Sequence, residues 1–224
     1  MSIKHSAEIT KTNLILNLDA LNKNSYSYTE NLFRYSQNFT NSWWAAGSVV
    51  ITDNVSDTMA PNGTYTATKI QCPNTYFGDL LRTYNTVYAA STAYVMSVYA
   101  KAGTARYLGL SPIIRSSYSN PGDPNGGDRF VFYDLYKGTV TNNIVPASDN
   151  GVVNSCGIVD VGNGWYRCWI AITTGTAAVN YITDIAITQS NGNTNYTPAG
   201  TEYLYIWGAQ LQKGSVLGEY VQTY

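Results

Sequence analysis

Along this chain the apolar positions recur in short alternating runs, separated by clusters of Gly, Asn, Asp, Ser and Pro. The sharpest run covers residues 165–172 and follows Gly162-Asn163-Gly164, residues that accept positive φ at little cost and so predict a tight reversal. On a strand, Trp165, Arg167, Trp169 and Ala171 share one face, and Tyr166, Cys168, Ile170 and Ile172 share the other. The second set is apolar and predicts a core face. The first carries two indoles and a guanidinium, so it faces either a second layer or a bound partner. Further strands are expected over 49–52, 65–71, 87–100, 106–110, 129–136, 181–188 and 203–211. No window sustains a 3.6-residue period, so helix is scarce. Short alternating strands without intervening helices predict an all-β fold, an antiparallel β-sandwich of the jelly-roll kind.

Residues 1–30 have a different pattern. Leu14, Leu16 and Leu18 alternate cleanly, and the polar stretch 22–29 then has the composition of a turn or linker. A lone apolar strand ahead of a linker must pair, with its own sheet or by strand addition to a neighbouring subunit. Two organisations follow: an N-terminal arm over 1–30 attaching a jelly-roll domain over 31–224, or a first strand of the same sandwich.

Several stretches also carry a family likeness. Val161-Gly-Asn-Gly-Trp-Tyr-Arg-Cys168 and Tyr205-Ile-Trp-Gly-Ala-Gln-Leu-Gln-Lys-Gly214 are two of them. Asn31-Leu-Phe-Arg-Tyr-Ser-Gln-Asn-Phe39 with Trp43-Trp44, Tyr94-Val-Met-Ser-Val-Tyr-Ala-Lys-Ala-Gly103 and Phe132-Tyr-Asp-Leu-Tyr-Lys-Gly-Thr-Val140 complete the set. In that order they resemble a jelly-roll module recurrent in bacteriophage structural proteins, galactose-binding-like and similar to carbohydrate-binding modules. The resemblance implies a virion protein, a capsid decoration or a tail or fibre component. It implies no particular ligand.

Composition narrows the partners. Charged residues are 12% of the chain, and 13 basic against 14 acidic side chains leave a net charge of −1. Such a balance lacks the electrostatic footprint of nucleic-acid binding and gives no attraction to anionic membranes. Twenty tyrosines and an uncharged polar surface suit protein contacts, sugar contacts and homo-oligomers. No stretch has the apolar length of a membrane span, and the first residues lack a secretory signal pattern. The expected product is made in a host cytoplasm and carried outside on the particle. Cys72, Cys156 and Cys168 match no zinc spacing. Buried thiols are expected, with a Cys156–Cys168 bridge as the alternative.

Candidate chemistry is sparse. The one histidine, His5, removes Ser–His and Cys–His nucleophile systems, and no motif singles out a pair of acids for glycoside hydrolysis. No catalytic or metal-binding residue and no cofactor is expected. The loop 119–128 holds Asp123, Asn125 and Asp128, oxygens that suit a structural calcium or a glycan, although the spacing departs from an EF-hand. Its plainer reading is a surface loop closing a hairpin. Trp43 and Trp44, beside Asn38, Asn41 and Ser42, are read as strand neighbours, one indole in the core and one outside to stack on a sugar or pack on a loop. Two functions remain: a non-enzymatic virion protein working through contacts with other virion subunits, and an adhesin recognising host-surface glycan.

Overall fold

The computed structural model describes residues 30–47, 49–73, 80–114, 130–144, 151–176, 179–188 and 198–224. The leucine run 14–18, His5 and the loop 119–128 lie outside these residues. In chain order the strands are β1 (Ala45–Ala46), β2 (Val50–Thr52), β3 (Thr68–Gln71), β4 (Leu80–Tyr88), β5 (Ala93–Ala102) and β6 (Tyr107–Ile114). They continue with β7 (Phe130–Asp134), β8 (Thr139–Ile144), β9 (Gly151–Gly162), β10 (Trp165–Thr174), β11 (Val179–Thr188) and β12 (Tyr203–Lys213). Sheet I runs β1-β4-β11-β6-β7-β8 and sheet II runs β2-β3-β12-β5-β10-β9, six strands each. Every pairing is antiparallel. The fold is therefore a two-sheet sandwich, in keeping with a jelly roll, and the described residues contain no helix.

The core lies between the sheets and is filled by one face of each strand. Cys168, Ile170 and Ile172 meet Met96 and Val98 of β5 and Ile185 and Ile187 of β11, all buried. The hairpin β9–β10 turns on Asn163 (φ 55°) and Gly164 (φ 77°), with Gly162 opposite Trp165. Positive φ at both central residues is the type I′ geometry that matches strand twist.

Two expectations change. The run 87–100 is two strands, not one, broken at Ala89–Thr92 where Ser91 sits at φ 48°. Hydrogen bonds hold the break: the Ser91 amide donates to the Gly175 carbonyl (2.7 Å) and the Thr92 amide to Thr174 Oγ1 (2.9 Å). In β12 the alternation slips. Ile206 and Leu204 face the core, but so do Ala209 and Leu211, because the register shifts between Trp207 and Gln210. Gly208, at φ 60°, is the bulge that makes this shift. A Cβ there would come within 3.1 Å of the Tyr99 ring and 3.2 Å of the Tyr220 ring.

Over β12, β5 and β10 much of the outward face of sheet II is also buried, while Val159 on β9 stays exposed. Trp207, Tyr99, Arg167 and Val159 form one row across four strands. Residues 53–67 and 214–224, which form no strands, pack over this face. Trp165, Tyr205 and Trp207 are buried there with Val55, Ala60 and Ala67, and Tyr220 packs against them. Tyr99 meets Trp207 edge-on at 5.3 Å, a geometry contributing about 0.5–1.5 kcal/mol beyond its buried area. Each polar tip finds a partner: Trp165 Nε1 donates to the Met59 carbonyl (2.8 Å), Trp207 Nε1 to Thr66 Oγ1 (3.0 Å) and the Tyr205 hydroxyl to Asp57 (2.7 Å). Arg167 donates to Ser97 Oγ (3.1 Å) and to the Gly218 carbonyl (2.8 Å). Of the two possibilities for this face, the chain's own second layer is the one realised.

Candidate functional site

The side chains of one polar recess come from four places in sequence: residues 35–40, 53–54, 66 and 222–224. Asn31 anchors the first of these. Its amide donates to the carbonyls of Ala209 (3.0 Å) and Val221 (2.9 Å), and its Oδ1 accepts from the Leu211 amide (3.1 Å). Ser36 and Thr223 then clasp each other through backbone and hydroxyl groups: the Thr223 amide donates to Ser36 Oγ (2.9 Å) and Thr223 Oγ1 to the Phe33 carbonyl (2.6 Å). The Tyr220 hydroxyl sits beneath, against Ser36 Oγ (2.8 Å) and Gln37 Nε2 (3.1 Å), and burial raises its pKa.

Asp53 ties in the remaining wall. One carboxylate oxygen accepts from the Thr40 amide (2.9 Å) and Thr40 Oγ1 (2.7 Å), and the other from the Phe39 amide (3.3 Å) and Thr68 Oγ1. Four donors take up the four lone-pair sites a carboxylate offers. Asp53 is thus a structural tie and has no lone pair left for a cation or a substrate proton. Asn54 follows at φ 56°, a left-handed conformation Asn tolerates, and its side chain is exposed.

The result is a cleft of about 440 Å³ lined by Tyr35, Gln37, Asn38, Asn54, Gln222 and Tyr224, with the Thr40, Thr66 and Thr223 hydroxyls between them. Asp53 carries the only side-chain carboxyl among these lining residues. Tyr224 is 85% exposed and offers its ring to solvent. Amides supply paired donors and acceptors, and a tyrosine supplies an apolar plane. That combination recognises a neutral polyhydroxylated molecule better than an ion.

Trp43 and Trp44 lie next to this wall, but in a turn, not on a strand. Trp44 is 4% exposed, packed edge-on against Phe33 at 5.3 Å, and its Nε1 donates to the Tyr35 carbonyl (3.1 Å). Trp43 is half-buried, 4.8 Å from Trp44 and 5.8 Å from Phe33. It lines a second cleft of about 440 Å³ with Leu32, Arg34, Thr86 and Val87. Only Trp43 of the pair therefore presents an indole face to solvent. Asp123, Asn125 and Asp128 lie outside the described residues. None of the three cysteines is in a disulfide, and Cys72 and Cys168 are buried. Among the described residues no three His, Cys, Asp or Glu side chains cluster to hold a metal ion, and no helix is long and apolar enough to cross a membrane.

Local sequence pattern did not mark the cleft. Asn38 stands beside the tryptophans in sequence, but Tyr35, Gln37 and Gln222 come together through the Asn31 and Ser36 contacts with residues 209–223, and Asn54 joins them through Asp53.

No family model matches the chain, and no curated protein does. In solved structures it is similar to the enzymatically active domain of tailspike protein 4 from bacteriophage CBA120 (TM-score 0.43, 11% identity), covering 82% of this chain and 21% of that one. It is also similar to the CBM22-1–GH10 modules of the Clostridium thermocellum xylanase Xyn10B, complexed with xylohexaose (TM-score 0.42, 12% identity), covering 86% and 29%. A third is a protein described as sugar-binding from Bacteroides thetaiotaomicron (TM-score 0.37, 16% identity), covering 83% of this chain and 100% of that one. The chain thus spans less than a third of the length of the first two.

Proposed function

We propose that this chain is a non-enzymatic binding domain on the surface of a bacteriophage particle, and that the cleft between Tyr35 and Tyr224 holds a neutral glycan. The observation that carries the glycan reading is the cleft's lining: exposed amides and hydroxyls beside an exposed tyrosine ring, with the single carboxylate already saturated by four donors. The virion reading rests on the ordered sequence landmarks between residues 31 and 214. Capsid decoration and tail or fibre attachment both fit them, and contacts with other virion subunits are the working mode of either.

The test is a glycan array probed with the intact protein. Specific binding that falls at least tenfold in Gln37→Ala/Gln222→Ala, with Trp43→Ala unaffected, supports the cleft. Loss in Trp43→Ala instead moves the sugar to the second cleft and its indole. An intact, folded protein that binds nothing on the array sinks the glycan reading and leaves the protein–protein role.

A further inference from the structure

Four arginines lie among the described residues, and the chain itself engages three of them. Arg82 forks onto Asp184, Arg106 pairs with Asp134, and Arg167 donates to Ser97 and to the Gly218 carbonyl. Arg34 is different. It is exposed, and among the described residues no acid pairs with it. It lines the second cleft with Leu32, Trp43, Thr86 and Val87, so that cleft holds one cation and no acid.

The walls of this cleft are set by the fold. Among the described residues β1 pairs only with Leu81 and Arg82 of β4, which leaves the edge of sheet I uncovered by a strand at Thr86 and Val87. Val87 is 68% exposed there. On the facing side Trp43 is held edge-on by Phe33 (5.8 Å) and Trp44 (4.8 Å), and its amide donates to Asn41 Oδ1 (2.9 Å). An indole fixed in this way offers its plane without the entropic cost of ordering it on binding. Thr86 is an independent sign of an unfilled site. It is 4% exposed, and its Oγ1 is the one buried side-chain polar atom without a hydrogen-bond partner among the described residues. Buried hydroxyls are normally satisfied. A χ1 rotation between staggered positions is the movement by which this one would meet a ligand oxygen.

We propose that this cleft is a subsite for a carboxylate-bearing sugar, a uronic or sialic acid residue, with its carboxylate on Arg34 and the apolar face of its ring on Trp43. The inference rests on the glycan reading above and adds a charge requirement to it. A guanidinium fork matches a carboxylate in plane and in spacing. Leu32, Trp43 and Val87 supply apolar surface that a free inorganic anion would leave unused, which favours an anion carried on a ring. Arg34 and Tyr35 are adjacent, yet each lines a different cleft. An oligosaccharide containing both neutral and acidic residues is the ligand class this arrangement fits.

Calorimetric titration of the full chain with oligosaccharides carrying glucuronate, galacturonate or sialate, each beside its methyl ester, tests the subsite. At least one acid is expected to bind about tenfold tighter than its ester, a gap that Arg34→Met should close. Trp43→Ala should lose the acid and keep any neutral oligosaccharide the native chain binds. Arg34 is exposed, so its variant decides the matter alone if Trp43→Ala fails to fold. Acids that bind no better than their esters, or a preference that survives Arg34→Met or a folded Trp43→Ala, overturn the subsite and leave the neutral cleft standing. A native chain that binds neither acidic nor neutral oligosaccharides removes the glycan reading and the subsite with it.

Discussion

The two faces of sheet II bury large side chains by different means. Its inner face is aliphatic, with Met96, Val98, Ile170, Ile206 and Leu211 meeting the strands of sheet I. Its outer face is aromatic and polar, with Trp165, Tyr205, Trp207 and Arg167 under segments that form no strands. Aliphatic side chains have no tips to satisfy and can be packed strand against strand. Indole and phenol groups need a hydrogen-bond partner when buried, and irregular backbone has carbonyls to spare: Met59 for Trp165, Gly218 for Arg167. The lesson is that the sheet's second layer is as much a part of the fold as its first.

That equivalence is open to a direct challenge. Trp165→Ala is expected to cost about 3–5 kcal/mol, as for a core aromatic, whereas a merely decorative layer would lose under about 1 kcal/mol. Urea midpoints decide between these, with Ile170→Val, expected at about 0.5–1.5 kcal/mol, as the inner-face reference. The bulge that lets β12 serve both faces comes next. Gly208→Ala forces a side chain into a left-handed conformation and against two rings, and about 1–3 kcal/mol should be lost in the same assay.

Sheet I extends the comparison to charge. Arg82 and Asp184 lie opposite one another, out of phase with core residues Leu81 and Ile185, and form a buried two-pronged pair at 2.9 and 2.8 Å. Burial outweighs the guanidinium and raises the Asp184 carboxyl to about 6. A folded-state value above the unfolded one means that the native state binds the extra proton. This group's contribution is complete below about pH 4 and fades as pH rises through 6. Thermal melts should show the full chain gaining stability from pH 7 to pH 5, and the Arg82→Met/Asp184→Leu variant lacking that gain. An unchanged slope in the variant would contradict this assignment. Asp134 is the opposite and smaller case. Its hydrogen bond from Arg106, together with the amides of Tyr136 and Lys137, holds the carboxyl below its usual range. Its stabilisation is present above about pH 4 and fades as pH falls further, so Asp134→Asn should flatten melts only at the acid end.

Much of the inner layer was legible in the residues. Alternation in 165–172 assigns the core face correctly, and Gly162-Asn163-Gly164 marks a turn the backbone realises with the φ values such residues favour. Other parts were hidden for physical reasons. β9 is missing from the expected strands because Gly, Asn and Ser interrupt its valines, as an edge strand half in water permits. The break between β4 and β5 has no glycine or proline to announce it. The parity slip at Gly208 is invisible without the cross-strand register. The polar cleft has no local pattern at all, since it is assembled by hydrogen bonds spanning most of the chain, such as Asn31 to Val221.

Those same bonds have a mechanical consequence. Residues 31–36 and 220–223 lie at one spot, joined by Asn31–Val221 and Ser36–Thr223 contacts. Tension applied between the two sides would run through this small clasp and bypass both sheets. A pull applied across these two segments therefore loads the clasp before it reaches the core.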